Sequence, residues 1–358
     1  MSPEEEQDRR PTSCVLFENP DRSIVLVDIP RSIEEAQVLP GQVVKRRIIS
    51  SSPISTPWKT PEPKRKDLGQ SVSPSAALSE LMTLESVKTA LQEIKRDYEG
   101  PWCLPRISSN TSEAGYEKSH LEGPHKRKQI SSDVETVDVV PTPFIPQQSR
   151  YFLGTIESQR ETFLANAPMF DLIVLDPPWP SRSVKRKRNG YAIAYSMQEA
   201  RGLLAQIPVA SHLTENGLVA VWITNKASVA DLLTSPRGIF SEWGLDLIGE
   251  WVWLKITSSG DPMIDVGAQW RKPWERLLLG RKKGSTTKTS VPTKVIMGVP
   301  DIHSRKPNLR PLFEGILPDN YCGLEVFARN LTAGWWSWGN EVLHFQQEHH
   351  WLEMAEDV

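Results

Sequence analysis

The spacing of apolar and polar positions changes near residue 150. From Tyr151 onward, short β-branched apolar runs alternate with segments whose apolar positions recur every three or four residues. The runs at 171–176 (DLIVLD), 217–224 (GLVAVWIT), 245–255 (LDLIGEWVWLK), 275–280 (ERLLLG), 294–299 and 323–327 (GLEVF) predict strands. Residues 197–207, 226–233 and 308–316 predict helices. Apolar runs without strict alternation suit strands covered on both faces, so residues 151–345 predict one α/β sandwich built on a largely parallel sheet. Trp222, Trp251 and Trp253 fall inside these strands and are expected to fill the core.

Before residue 150 the apolar signal is sparse. Within 1–44, the run 23–29 (SIVLVDI), preceded by 15–17 and an Asn19-Pro20-Asp21 turn, predicts a small β element of its own. Residues 75–98 carry Leu78, Leu81, Met82, Leu84, Val87, Leu91 and Ile94 at mixed three- and four-residue spacing, an amphipathic helix expected to pack on the main domain. The rest of 45–150 mixes Ser, Pro, Thr and charge. Such chain buries too little apolar surface to offset ordering entropy of ~1–2 kcal/mol per residue, so it is expected to be a largely disordered linker. Residues 346–358 read as an acidic tail.

Composition narrows the class. Among 358 residues, 42 basic and 44 acidic side chains leave a net charge of −2, which excludes a polyelectrolyte but not a local basic patch. Cys14, Cys103 and Cys322 form no C-x-x-C pair, so neither a disulfide scaffold nor a zinc site is expected, and no metal is. The longest uncharged stretch, 202–214, is too short and polar to span a membrane, and MSPEEEQDRR is unlike a signal peptide. An intracellular soluble protein is expected. Sixteen of the 29 prolines precede residue 149, whereas ten of the 13 tryptophans lie between Trp179 and Trp338, which again places the core in the second half.

The most informative residues are Asp176, Pro177, Pro178 and Trp179, directly after the first predicted strand of the domain. Open α/β sheets bind ligands at the carboxyl ends of their strands. There Asp176 is an acceptor for an exocyclic amine. The prolines stiffen the turn and offer carbonyls without amide hydrogens. Trp179 offers a flat face to a nucleobase, a contact worth ~1–3 kcal/mol. Such a site suits a nucleobase amine, on adenine or on cytosine.

This tetrapeptide fits the [DNS]-P-P-[YFW] signature of amino-methyltransferases, and residues 151–341 resemble the MT-A70 family of adenine-N6 methyltransferases. His303 to Pro307 (HSRKP), Leu324 to Arg329 (LEVFAR) and Trp335 to Glu341 (WWSWGNE) resemble further family segments, in the family's order. Within the family they most resemble the branch called methyltransferase-like protein four. The resemblance implies a Rossmann-like, S-adenosylmethionine-dependent fold with permuted motif order. It implies that Asp176 and the Pro177 carbonyl accept from adenine N6, and that Lys306 meets the methionine carboxylate of the cofactor. It further implies that Glu325, Phe327 and Arg329 line the adenosyl and ribose pocket, and that Asn340 and Glu341 bind the ribose hydroxyls. No glycine loop follows LEVFAR, as in the family.

The cations suggest a nucleic-acid surface. Arg182, Lys185, Arg186, Lys187, Arg188 and Tyr191 follow the tetrapeptide closely, and 271–310 holds eleven Lys/Arg, including Arg271, Lys272, Arg281 and Lys282, against Glu275 and Asp301. A cationic rim around one pocket suits a phosphate backbone. A target base must leave its stack, which is cheapest from a single strand, so RNA is the expected substrate and DNA the alternative. The branch resemblance suggests an internal 2′-O-methyladenosine of a small nuclear RNA. A non-catalytic nucleic-acid-binding partner is the remaining reading, disfavoured by the intact Asp176. Lys64-Arg65-Lys66 and Lys126-Arg127-Lys128 suggest nuclear import. No protein partner is evident, and a monomer is expected.

Overall fold

The computed structural model describes residues 13–59, 74–108, 142–180, 196–268, 271–286, 290–302 and 305–354. In chain order its strands are β1 (Val15–Glu18), β2 (Ile24–Val27), β3 (Arg46–Ile48), β4 (Arg150–Leu153), β5 (Phe170–Leu175), β6 (Leu213–Ile223), β7 (Leu245–Lys255), β8 (Trp274–Lys282), β9 (Lys294–Gly298), β10 (Gly323–Val326), β11 (Trp336–Gly339) and β12 (Trp351–Glu353). Its helices are α1 (Ile29–Ala36), α2 (Pro74–Asp97), α3 (Ile156–Asn166), α4 (Met197–Ala205), α5 (Val209–His212), α6 (Ala227–Thr234) and α7 (Ile239–Glu242). One sheet of ten strands runs β1-β2-β9-β7-β8-β6-β5-β10-β11-β4, and β12 pairs with β3 in a second. Within the large sheet only β1 and β8 oppose their neighbours.

Alternation along each strand sends side chains to two different cores. On β6, Leu218, Ala220 and Trp222 join Trp251, Trp253 and Trp335 on the face covered by α1 and the segment around Leu309–Leu317. Val219, Val221 and Ile223 face α3 to α7 on the other side. Farther along that second face, α2 lays Val87, Ala90 and Ile94 over β2, β7 and β9. The sandwich is therefore covered on both faces, as the apolar runs predict. Local signals set the helix starts: Asp28 accepts from the Arg31 amide at 2.9 Å, and Thr155 and Ser196 cap α3 and α4 in the same way.

Four readings of the sequence are corrected. The expected free-standing β element of 1–44 is part of the main sheet, because the all-buried β2 aligns beside β9. Much of the expected linker is built into the fold: β3 pairs with β12, Ile49 bridges Ile107, and buried Glu34 of α1 accepts from Arg47 and the Ile48 amide at 2.8 and 3.0 Å. The expected acidic tail likewise contributes β12, with Trp351 buried. The helix expected over 308–316 is only a 3-10 turn at Arg310–Phe313. Gly315 then takes a φ of +75°, a left-handed conformation that stops the helix. The apolar contacts of α2 with the sheet run from Leu84 to Ile94. Leu78, Leu81 and Met82 remain 59%, 59% and 64% exposed. The two Lys-Arg-Lys clusters lie outside the described residues.

Candidate active site

Strands β5, β6, β10 and β11 run parallel, so their carboxyl ends gather at one edge. Register pairs Leu175 with Val326 and Val221, and Val326 with Trp338. The residues that follow, Asp176, Trp222, Phe327 and Gly339, therefore sit side by side. Because β8 runs the other way, its first residues reach the same edge, with Glu275 opposite Trp253 of β7.

The tetrapeptide forms a tight turn at this edge. The Asp176 amide donates to the Val326 carbonyl at 3.4 Å, and the Trp179 amide donates to the Pro177 carbonyl at 2.8 Å. Pro177 is buried and Pro178 partly so. Trp179 departs from expectation. Its ring is only 9% exposed and packs in the core facing α3 to α7, while Nε1 donates to the Trp222 carbonyl at 2.7 Å. The indole anchors the turn instead of offering an open stacking face. Lys226 donates from its ammonium to the Pro180 carbonyl and fastens the far end of the turn.

Lys306 comes from the segment after β9 and reaches both carboxylate oxygens of Asp176, at 3.1 and 2.9 Å. It also lies 3.1 Å from Glu275, which in turn pairs with Lys255 at 2.5 Å. The Lys306 and Lys255 ammonium groups lie over Trp222 and Trp253, which meet edge to face. Burial alone would lower the Lys306 pKa, but Asp176 and Glu275 outweigh it and hold the ammonium above its ordinary range. Burial would raise Glu275, yet Lys306 and Lys255 bring it down to about 2. Glu275 and Lys255 carry no motif in the sequence. The only signal is a Glu heading the apolar run ERLLLG, and its importance comes from the reversal of β8.

Glu325 projects from β10 into a cleft that Lys306 shares with Trp222, Asn308, Asn330 and Trp335. Burial first, and the Asp176 charge second, push its pKa up to about 7, with Lys306 offsetting part of the shift. Phe327 has a φ of +62°, a left-handed conformation that is costly for a bulky residue and turns the chain sharply after β10. Its side chain packs with the core facing α3 to α7 and does not line the cleft. Gly339 lets the end of β11 approach this turn, since a Cβ there would sit 2.9 Å from the Ala328 carbonyl. Arg329 and Glu341 pair with each other at 3.1 Å, and Asn340 is exposed just after β11.

The expected nucleic-acid residues separate. Arg182, Lys185, Arg186, Lys187, Arg188 and Tyr191 lie outside the described residues. Arg271 is exposed near the start of β8 at the site edge, and Lys272 pairs with Glu80 of α2 at 2.7 Å. Arg281 and Lys282 do not rim the pocket. They end β8, and Lys282 aligns with Leu245 at the start of β7, on the opposite edge of the sheet. Among the described residues, no group of three or more His, Cys, Asp or Glu is placed to hold a metal, and no helix is long and apolar enough to cross a membrane.

The MT-A70 family model matches residues 170–341, which contain the whole edge just described. The chain is 48% identical to the N6-methyladenosine RNA methyltransferase MTA1 of Cryphonectria parasitica, over 98% of this chain and 97% of that protein. It is 45% identical to the protein of the same name from Pyricularia oryzae, over 96% and 98%. The human N(6)-adenine-specific methyltransferase METTL4 is 35% identical over only 56% of this chain and 43% of its own length. The expected branch is thereby corrected: similarity along nearly the whole chain is to fungal MTA1 proteins and not to METTL4. With the site edge inside the family match and relatives aligned along almost its full length, the chain belongs to the MT-A70 family of adenine-N6 methyltransferases, a family built to use S-adenosylmethionine.

Proposed function

We propose that the protein transfers a methyl group from S-adenosylmethionine to the N6 amine of adenine in RNA. The observation that carries this reading is the placement of Asp176, Pro177 and Pro178 at the carboxyl edge of β5, with the Asp176 carboxylate held by Lys306. The full-length similarity to proteins named as N6-methyladenosine RNA methyltransferases supports RNA as the substrate.

The donor set fits the cofactor. A sulfonium and an ammonium need carboxylates, and the cleft offers the recessed Glu325, on which the charges of both Asp176 and Lys306 act. Lys306 and Asn308 give that cleft donors for a carboxylate, while Asn340 and the Arg329–Glu341 pair at the end of β11 suit ribose hydroxyls. When bound, S-adenosylmethionine supplies an electrophilic methyl group.

The residues of the chain do the rest by position and charge. The lone pair of adenine N6 is delocalised into the ring, which makes it a poor nucleophile. Asp176 and the remaining lone pair of the Pro177 carbonyl accept hydrogen bonds from its two N–H groups and favour a pyramidal nitrogen, which gives up one proton to solvent once methylated. Lys306 fixes the Asp176 carboxylate for that task, and Trp179 and Lys226 hold the turn. Arg271 is placed to meet phosphate as the base is turned out of its stack.

The test is transfer of labelled methyl from S-adenosylmethionine to matched adenine-containing RNA, single-stranded DNA and duplex DNA. Incorporation into N6-methyladenosine of the RNA, above both DNA forms, is expected. Preferential labelling of either DNA would overturn the RNA assignment, and labelled cytosine would overturn the choice of base.

A further inference from the structure

Lys306 sits in a segment with no regular secondary structure, so its position depends on what holds the chain on either side. Upstream, Asp301 accepts from the Ser51 amide at 2.8 Å and the Ser51 hydroxyl at 3.2 Å. Arg106 donates to the carbonyls of Ser51, Pro300 and Val299 at 3.2, 2.8 and 2.7 Å, and lies 3.8 Å from Asp301. Arg305, the residue before Lys306, pairs with Asp301 and donates to the Ile49 carbonyl at 3.1 Å. The side chains of Arg106, Asp301 and Arg305 are 3%, 0% and 1% exposed. Downstream, the Asn308 amide donates to the Ser32 hydroxyl at 3.0 Å, and Arg310 donates to the Glu35 carbonyl at 2.6 Å. Of the residues that hold this segment, Ser32, Glu35, Ile49, Ser51 and Arg106 lie before residue 107, outside the 170–341 family match.

We propose that Arg106, acting through Asp301 and Arg305, is a positioning residue for Lys306, so that the N-terminal region is part of the cofactor site. A buried ion triad is a poor source of net stability but a strong geometric constraint, because each charge has one arrangement that satisfies it. Arg305 and Lys306 are adjacent, so a shift of the first moves the second. The Lys306 ammonium has to meet Asp176 and Glu275 within 3.1 Å simultaneously, which leaves it little tolerance. A misplacement of ~1 Å in such a group costs roughly 100-fold in rate.

The inference rests on the cofactor reading of Lys306, and the experiment separates the two. In the full-length protein, Arg106→Met is expected to raise KM for S-adenosylmethionine and lower kcat, each by roughly 10-fold or more, with KM for RNA within about twofold of the parent. Arg106→Lys, which keeps the charge, is expected to recover part of the loss. If Arg106→Met does not fold, Ser51→Ala decides, with an expected rise of about threefold in KM for S-adenosylmethionine alone. A folded Arg106→Met protein that melts lower but keeps both kcat and KM for S-adenosylmethionine overturns the inference, as does an unchanged KM in Ser51→Ala. Direct binding by calorimetry to Lys306→Met tests the underlying reading: unchanged S-adenosylmethionine affinity there removes the cofactor role itself. Weakened binding in Lys306→Met beside an unaffected Arg106→Met removes only the positioning role.

Discussion

The Lys306 ammonium lies 3.1 and 2.9 Å from the two carboxylate oxygens of Asp176, although 130 residues separate them in sequence. The pair joins the segment after β9 to the turn after β5, and it makes Lys306 a holder of the acceptor residue as well as a candidate cofactor contact. Replacing Lys306 with Met leaves the Asp176 carboxylate without its ammonium partner and leaves Glu275 with Lys255 as its remaining ion pair. A fall in kcat/KM of about 10²-fold is expected, the scale of losing one preorganised charge contact. Steady-state kinetics of Lys306→Met checks this, and a loss confined to KM for RNA would place the lysine elsewhere in the reaction.

Glu275 links the pair to Lys255. Its folded pKa, at about 2, lies below the ordinary value of 4.5, so its contribution to stability is full above pH ~4.5 and is lost as pH falls toward 2. Glu275→Gln is expected to lower stability at pH 7 by about 1–3 kcal/mol and to flatten the acid side of the Tm profile. Thermal melts of both proteins between pH 3 and pH 7 give the comparison. Parallel curves would mean that Glu275 is not ion-paired.

Glu325 has the opposite sign. Its folded pKa, at about 7, lies above 4.5, so its neutral form is favoured and the stability it allows is lost as pH rises from ~4.5 through ~7. Glu325→Gln, which imitates the neutral form, is expected to be the more stable protein at pH 8 by about 1–3 kcal/mol and to match the parent near pH 4.5. A cationic cofactor favours the charged form, so S-adenosylmethionine is expected to bind the parent more tightly at pH 8 than at pH 6. Denaturant melts and calorimetry at the two pH values measure the two effects separately.

Trp179 tests the anchor role. Trp179→Phe keeps a ring in the core but removes the Nε1 donor, which leaves the Trp222 carbonyl without that partner. A stability loss of about 1–3 kcal/mol is expected. A fall in kcat should accompany it, because the turn carrying Asp176 loosens. Unfolding midpoints and kcat together distinguish this from a stacking role, which a Phe in an open pocket would largely preserve.

The sequence reveals what is contiguous and conceals what the sheet brings together. The run DLIVLD and the tetrapeptide after it sit at the carboxyl end of a buried strand, because a strand and the turn that follows it are one local object. Glu275 belongs to no motif, and its place at the site depends on β8 running against β6 and β7. The same reversal misplaced Arg281 and Lys282. Near Arg271 in sequence, they are carried to the far edge by a nine-residue strand at ~3.3 Å per residue. Residues 46–51 and 104–107 looked like linker because their partners, β12, Glu34 and Asp301, are distant in sequence. The ring of Trp179 could not be assigned to core or cleft from its neighbours alone, because that depends on the Trp222 carbonyl.

The most direct test of the account is methyl transfer by the Asp176→Ala protein. With adenine-containing RNA and labelled S-adenosylmethionine, formation of N6-methyladenosine is expected to fall by about 10²–10³-fold, while the folded variant still binds the cofactor. Incorporation equal to that of the parent protein would contradict the assignment of Asp176 as the acceptor that positions the adenine amine, and the mechanism with it.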